Sequence, residues 1–279
     1  MTLTQALATG TALGLDRLDA QLLLLHALGQ PGLARTWLLA HDQDEMPAPG
    51  FSRFMALAQR RASGEPVAYL TGYKEFFGLT LHVDARVLVP RPDTETLVDW
   101  ALAVVDGLAP PLPPTIPFSA MDLGTGSGAV ALAIQHARPR VRVSAIDFST
   151  DALAVAQANA QRLKLPVQFS QGSWLDGVQG RFHLIVSNPP YIAARDPHLA
   201  ALTHEPLQAL ASGDDGLDDT RHIINQAPAH LHSSGWLLLE HGYDQAAAVR
   251  ALLVDAGLGH VQSRRDLSGI ERCSGGQWR

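Results

Sequence analysis

Apolar residues along this chain recur first at helical spacing and later in short continuous runs, and the change divides it. Over residues 16–29, Leu18, Leu22 and Leu25 fall on one helical face and Gly29 stops the pattern. Further helices are expected over about residues 33–41 and 50–63. Residues 76–89 alternate in two runs parted near Asp84, which predicts a β-hairpin linker. The expected organisation is a helical bundle at 1–75, a hairpin linker at 76–92 and one larger domain at 93–279. A helix over about 94–107 leads to a proline tract at 109–117, read as a stiff extended connector.

From Phe118 onward apolar runs alternate with amphipathic stretches. Strands are expected at 118–123, 141–146, 167–170, 183–187 and 235–240. Helices are expected up to Ala137, from a Ser149 cap to about Leu163, at 218–232 and at 245–257. Leu153, Ala156 and Ala160 should face the sheet. The tail at 260–278 should add a strand pair at one edge. This is the pattern of an α/β, doubly wound sheet, whose ligands sit at the carboxyl ends of the strands. Asp122 with the glycines after it, Asp147, Ser173-Trp174 and Asn188 all fall on that rim.

Two of these positions carry chemistry. Asn188-Pro189-Pro190-Tyr191 follows the run His183-Leu184-Ile185-Val186-Ser187. Paired prolines lack N–H groups and hold the turn stiff, so it presents carbonyls; the Asn oxygen adds an acceptor and the Tyr ring a flat face. Such a site suits a planar –NH2 group, either the exocyclic amine of a base or a side-chain carboxamide.

The second position is the turn Gly124-Thr125-Gly126-Ser127-Gly128 between a strand and a helix, which is a nucleotide-binding corner. Asp147, roughly twenty residues on, stands where ribose hydroxyls are gripped. Gly124, Gly126 and Ala129 also satisfy the dinucleotide pattern G-x-G-x-x-A. Counted from Asp122 to Gly128, the pattern D-x-G-x-G-x-G leaves a carboxylate facing the site and suits a nucleoside with an amino-acid tail, S-adenosyl-L-methionine. The acceptor turn decides, because it has a use for a methyl donor and none for a hydride.

Composition narrows the setting. Hydrophobic residues make up 46% and charged residues 17%, which argues for a filled core. A single cysteine excludes an internal disulfide and a Cys-rich zinc site; no His-Glu-x-x-His pattern occurs, and no metal is expected. The opening residues lack the marks of a signal peptide or membrane span, so a cytoplasmic protein is expected. A net charge of −6 disfavours a duplex-DNA partner, and Arg60-Arg61 reads as an exposed helix face.

Asp122-Leu123-Gly124-Thr125-Gly126-Ser127-Gly128, Ser187–Tyr191 and Pro90-Arg91-Pro92-Asp93-Thr94-Glu95 together resemble the PrmC/HemK family, and the likeness extends over nearly the whole chain. It includes Glu205-Pro206, Gly216-Leu217 and Leu238-Leu239-Glu240-His241-Gly242. The resemblance implies a Rossmann-like class I methyltransferase sheet with a small helical domain, using S-adenosyl-L-methionine to methylate the glutamine N5 in the GGQ motif of class I peptide-chain release factors. It implies a monomer with a protein substrate and no required nucleic acid. Asn188, Pro189 and Tyr191 are then catalytic. Asn188, Pro189, Pro190 and Tyr191 contact substrate, while Gly124, Thr125, Gly126, Ser127, Gly128, Asp147, Trp174 and Asn188 contact the cofactor. The family's usual Asp-Trp is Ser173-Trp174 here, which removes a charged contact to the adenine amino group. The alternatives are a ribosomal-protein glutamine methyltransferase, an adenine or guanine amino-methyltransferase acting on DNA or RNA, and a non-catalytic cofactor-binding adaptor. Gly275-Gly276-Gln277 copies the substrate tripeptide and reads as chance within an edge strand.

Overall fold

The computed structural model describes residues 1–29, 35–108 and 117–279. They form two compact units, Met1–Tyr73 and Lys74–Arg279. The first holds α1 (Leu3–Ala12), α2 (Arg17–Ala27), α3 (Arg35–Ala40), α4 (Ala48–Ala62) and α5 (Val67–Thr71). The sequence reading missed α1, whose inner face is only Leu3, Ala6 and Gly10. A capping box starts it: Thr2 Oγ1 accepts from the Gln5 N–H, and the Gln5 side chain accepts from the Thr2 N–H.

The inner face of α2 also differs from expectation. Leu23, Leu24 and Leu25 are buried while Leu18 and Leu22 are exposed. Four consecutive leucines at 22–25 let the stripe be phased in more than one way, and packing against α1 and α4 selects the phase. The expected helix at 33–41 is described from Arg35, since 30–34 lie outside the described residues. Arg60 and Arg61 are ion-paired with Glu65 and Asp19 rather than bare.

β1 (Tyr73–Phe76), which starts on the last residue of the first unit, and β2 (Leu79–His82) pair as a hairpin. Its turn is at Phe77-Gly78, upstream of the expected position near Asp84. Both turn residues have positive φ, +50° and +76°, as a two-residue hairpin turn requires. The Phe77 N–H is held by Glu95 at 3.0 Å. Asp84 instead pairs with Arg86. A 3-10 turn at Pro92–Thr94 opens α6 (Glu95–Leu108). Nearly all of the expected proline connector (109–116) is outside the described residues.

The sheet then assembles from β3 (Ser119–Leu123), β4 (Arg142–Asp147), β5 (Gln168–Gln171), β6 (Phe182–Ser187), β7 (Leu231–Glu240), β8 (Gly259–Arg265) and β9 (Glu271–Gln277), with α7 (Ala129–Ala137), α8 (Thr150–Leu163), α9 (Asp218–His230) and α10 (Ala246–Asp255) between them. Its order is β5-β4-β3-β6-β7-β9-β8. The strands from β5 across to β7 run parallel, and β9 runs antiparallel to both β7 and β8. Order reverses between β3 and β6, so the rim there is the switch point. Both faces are covered, which explains the unbroken apolar runs. Along β6, Leu184 and Val186 join Trp100 and Ile134 on one side, while Ile185 joins Ile223 and Leu253 on the other. Leu153, Ala156 and Ala160 are buried as expected.

The tail does form a strand pair, but β9 inserts between β7 and β8, so Gly275-Gly276-Gln277 is an internal strand. A Cβ at Gly275 would come within 2.6 Å of the Leu237 carbonyl oxygen. The Gln277 amide donates to the Ser234 carbonyl at 2.9 Å.

Candidate active site

A solvent-open cleft of about 250 Å³ lies at the carboxyl ends of β3, β4 and β6. Gly124, Gly126, Asp147, Trp174, Asn188 and Pro190 line it, together with Ser173. A side lobe of about 60 Å³ shares Gly124, Gly126 and Asn188 and is bounded by Arg91, Thr94, Asp122, Thr125 and Ser127. Gly128, Pro189 and Tyr191 line neither. A Cβ on Gly128, which has φ +85°, would meet Leu132 at 3.0 Å and Ala156 at 3.3 Å. Its bareness serves the packing of α7 on α8.

Asp122 departs from the expectation of a carboxylate simply facing the site. Its Oδ2 accepts from Thr125 Oγ1 at 2.7 Å and from the Ala131 N–H at 3.2 Å. It therefore ties the glycine turn to the first turn of α7, and burial pushes its pKa up to about 7 against those two bonds. Thr125 thus spends its hydroxyl on Asp122. Ser127 contributes its carbonyl to the buried Asn159 amide at 3.0 Å.

Asp147 stands where expected. Oδ2 accepts from the Gly126 N–H at 2.8 Å and Oδ1 from the Ser149 N–H at 2.9 Å. Burial raises its pKa and these backbone bonds oppose the rise, so the carboxylate is locked at the cleft wall. Trp174 packs its ring against Gly124, where a Cβ would sit 3.1 Å from the indole; the indole N–H donates to Asp219 at 3.1 Å. Phe148 follows Asp147 and stands 71% exposed at the cleft. Sequence reasoning passed over it, although an aromatic directly after a ribose-type carboxylate was a readable signal. It also missed Val87 and Leu88, which line the cleft from the stretch after β2.

At the acceptor turn, Asn188 Nδ2 donates to Thr94 Oγ1 at 3.2 Å. Thr94 is buried, and this bond commits the amide nitrogen, leaving Oδ1 as the group offered to the cleft. Tyr191 turns its hydroxyl inward, 3.5 Å from Glu240 Oε1, and burial raises its pKa. The loop after the turn is bound back onto it. Ser212 N–H donates to the Ile192 carbonyl at 2.9 Å and Gln245 Nε2 to the Tyr191 carbonyl at 2.9 Å. Buried Glu205 accepts from the Val89 N–H at 3.1 Å and pairs with Arg91.

These residues fit a nucleoside carrying a short polar tail. Asp147 offers fixed acceptors for a diol, Phe148 and Trp174 offer flat walls for a base, and the side lobe beside Asn188 has room for the tail. Among the described residues no group of three or more His, Cys, Asp or Glu is placed to hold a metal ion.

A doubly wound sheet with this rim is that of a Rossmann-like, S-adenosyl-L-methionine-dependent methyltransferase. The family described as PrmC N-terminal domain matches residues 3–72, and the one described as Methyltransferase small domain matches 106–249. Over 273 residues the chain is 48% identical to a Burkholderia pseudomallei protein named release factor glutamine methyltransferase, covering 94% of this chain and 92% of that one. A Bordetella pertussis protein of the same name is 48% identical over 94% of this chain and 95% of its own. A methyltransferase structure from Pyrococcus furiosus shares the fold at 18% identity, covering 78% of this chain and 95% of that one with a TM-score of 0.51. The chain belongs to the release factor glutamine methyltransferase family, PrmC/HemK.

Proposed function

We propose that this chain methylates the side-chain amide nitrogen, N5, of the glutamine in the GGQ motif of class I peptide-chain release factors. The observation that carries the reading is the bond from Asn188 Nδ2 to buried Thr94, which presents Oδ1 as an acceptor. When bound, S-adenosyl-L-methionine supplies an electrophilic methyl group on a sulfonium sulfur. Asp147 would accept from its ribose hydroxyls, Phe148 and Trp174 would enclose its base, and the glycine turn would let it approach the backbone.

An amide nitrogen is a weak nucleophile because its lone pair is delocalised. Asn188 Oδ1 accepts one N–H of the glutamine, which aims the lone pair and strengthens as positive charge develops on nitrogen. No general base is needed, since the nitrogen sheds its proton readily once alkylated. Tyr191 braces the turn from below through Glu240. The helical unit, residues 1–73, docks the release factor away from the GGQ loop, and the enzyme works where translation factors do, in the cytoplasm. Among the described residues no helix is long and apolar enough to cross a membrane.

The test is incubation with labelled methyl donor and, separately, a purified release factor, a ribosomal protein and nucleic acid. Label is expected on the factor. Label on nucleic acid or ribosomal protein, with none on the factor, overturns the reading.

A further inference from the structure

The last residue of β7 puts a carboxyl group beneath the acceptor turn, and bracing Tyr191 does not account for all of it. Glu240 is 1% exposed, and its Oε2 is buried with no partner in hydrogen-bond geometry. Its Oε1 has only the long 3.5 Å contact to the Tyr191 hydroxyl. The neighbouring Thr94 hydroxyl favours the ionised carboxyl. That same Thr94 oxygen accepts from Asn188 Nδ2. Three distant stretches, the 3-10 turn, the acceptor turn and the end of β7, thus meet on one carboxyl group. Burying an ionisable group half-satisfied is unfavourable and uncommon in a part that only holds a fold together.

We propose that Glu240 is a positioning residue for methyl transfer: its carboxylate sets the hydrogen-bond polarity of Thr94, and Thr94 in turn holds the Asn188 oxygen toward the substrate amide. The inference rests on the glutamine-amide reading above. A carboxylate only accepts, so it makes donors of the Thr94 and Tyr191 hydroxyls and leaves Thr94 Oγ1 to accept from Asn188. A protonated Glu240 donates to Thr94 and competes with Nδ2. The Asn188 amide then turns over and sets an N–H against the N–H of the substrate.

The charged and titratable surroundings act on Glu240 from several elements. Asp93, beside Thr94, raises its pKa, while Arg272 on β9 lowers it. Arg91 faces Tyr191. Cys273, the cross-strand partner of Glu240, is a buried thiol pushed well above its ordinary pKa. His241, next on the strand, is buried between the Gly242 carbonyl and Ser274, and burial lowers its pKa. Burial is the leading effect on Glu240 itself and brings it to about 7. The competent form therefore grows as pH rises through neutrality.

The experiment uses the full chain with Glu240→Gln, Thr94→Val and Thr94→Ser. It reads the pH profile of kcat, affinity for S-adenosylhomocysteine by calorimetry, and side-chain amide signals after 15N-asparagine labelling. The chain has three asparagines, 159, 188 and 225, so loss of one signal in Asn188→Ala assigns the one needed. The unsubstituted enzyme should show an acid limb near neutrality and an Asn188 amide signal that titrates with it. Glu240→Gln should abolish both, lower plateau kcat about tenfold and leave cofactor affinity within about twofold. Thr94→Val should reproduce that loss, and Thr94→Ser should restore activity. An unchanged acid limb in Glu240→Gln, or an Asn188 signal indifferent to pH, overturns the proposal; so does Thr94→Val at full rate. Absence of methyl transfer by the unsubstituted enzyme would sink the glutamine reading alone, because the Asn188 titration and its loss in Glu240→Gln still decide the positioning claim.

Discussion

A carboxamide offers an acceptor on one side and donors on the other, so which side of Asn188 meets the substrate governs whether it can hold an amide N–H. Removing it with Asn188→Ala should lower kcat by about 10²–10³, as for other donors or acceptors used at a reacting atom, and leave S-adenosylhomocysteine binding nearly intact. Calorimetry beside single-turnover kinetics checks this, and equal losses in both would remove Asn188 from the chemistry. Glu240 makes a second prediction through stability. Its folded pKa, about 7, lies above the ordinary 4.5, so its ionisation opposes folding. The penalty is absent below pH ~4.5, grows as pH rises and is complete above ~7, at about 3 kcal/mol. Glu240→Gln should therefore raise Tm at pH ~8 and have little effect at pH ~4. A variant less stable than the parent at pH ~8 contradicts the assignment. Asn188, Asp147 and Gly124 were legible because each sits in a short motif with a chemical meaning. Thr94 and Glu240 lie in segments the family resemblance marked, but their roles were not legible, because only the fold brings residues 94, 188, 191 and 240 together.

Among the elements, the acceptor turn and the loop after it behave as one piece. Ile192 bridges to Ala211, the Ala194 N–H donates to the Gly213 carbonyl at 2.8 Å, and Gln245 clasps the Tyr191 and Asp215 carbonyls. Gly216 makes the closest approach. It has φ +78°, and a Cβ there would come 2.2 Å from the Tyr191 carbonyl oxygen. Gly216→Ala should therefore displace the turn, destabilise the fold by about 1–3 kcal/mol and cut kcat at least tenfold while sparing cofactor affinity. Thermal unfolding, calorimetry and kinetics measure the three, and undiminished kcat would show that the turn tolerates the shift. The parallel strands were readable as unbroken apolar runs because both sheet faces are covered. The hairpin was placed too far along because the true turn uses Phe77 at positive φ, an unexpected residue for it. Helix α1 went unseen because its thin apolar face carries little signal beside the capping box.

On the scale of the whole molecule, the residues lining the cleft all belong to the unit Lys74–Arg279. A chain beginning at Tyr73 keeps the hairpin and should fold and bind S-adenosylhomocysteine. It should methylate an intact release factor far less efficiently than the full chain, while both forms modify a short GGQ peptide equally poorly, because remote binding energy is what the cut removes. Comparison of kcat/KM on factor and peptide checks this, and undiminished activity on the factor would leave the helical unit a structural cap. Sequence alone separated the helical part from the sheet by the change of period. It could not phase α2, where adjacent leucines fit several faces until neighbouring helices choose one. The most direct test of the whole account is tandem mass spectrometry of a release factor after incubation with the enzyme and S-adenosyl-L-methionine. One methyl group is expected on the side-chain amide of the GGQ glutamine, lost with Asn188→Ala; an unmodified GGQ glutamine, or a methyl group carried elsewhere on the factor, would overturn the assignment.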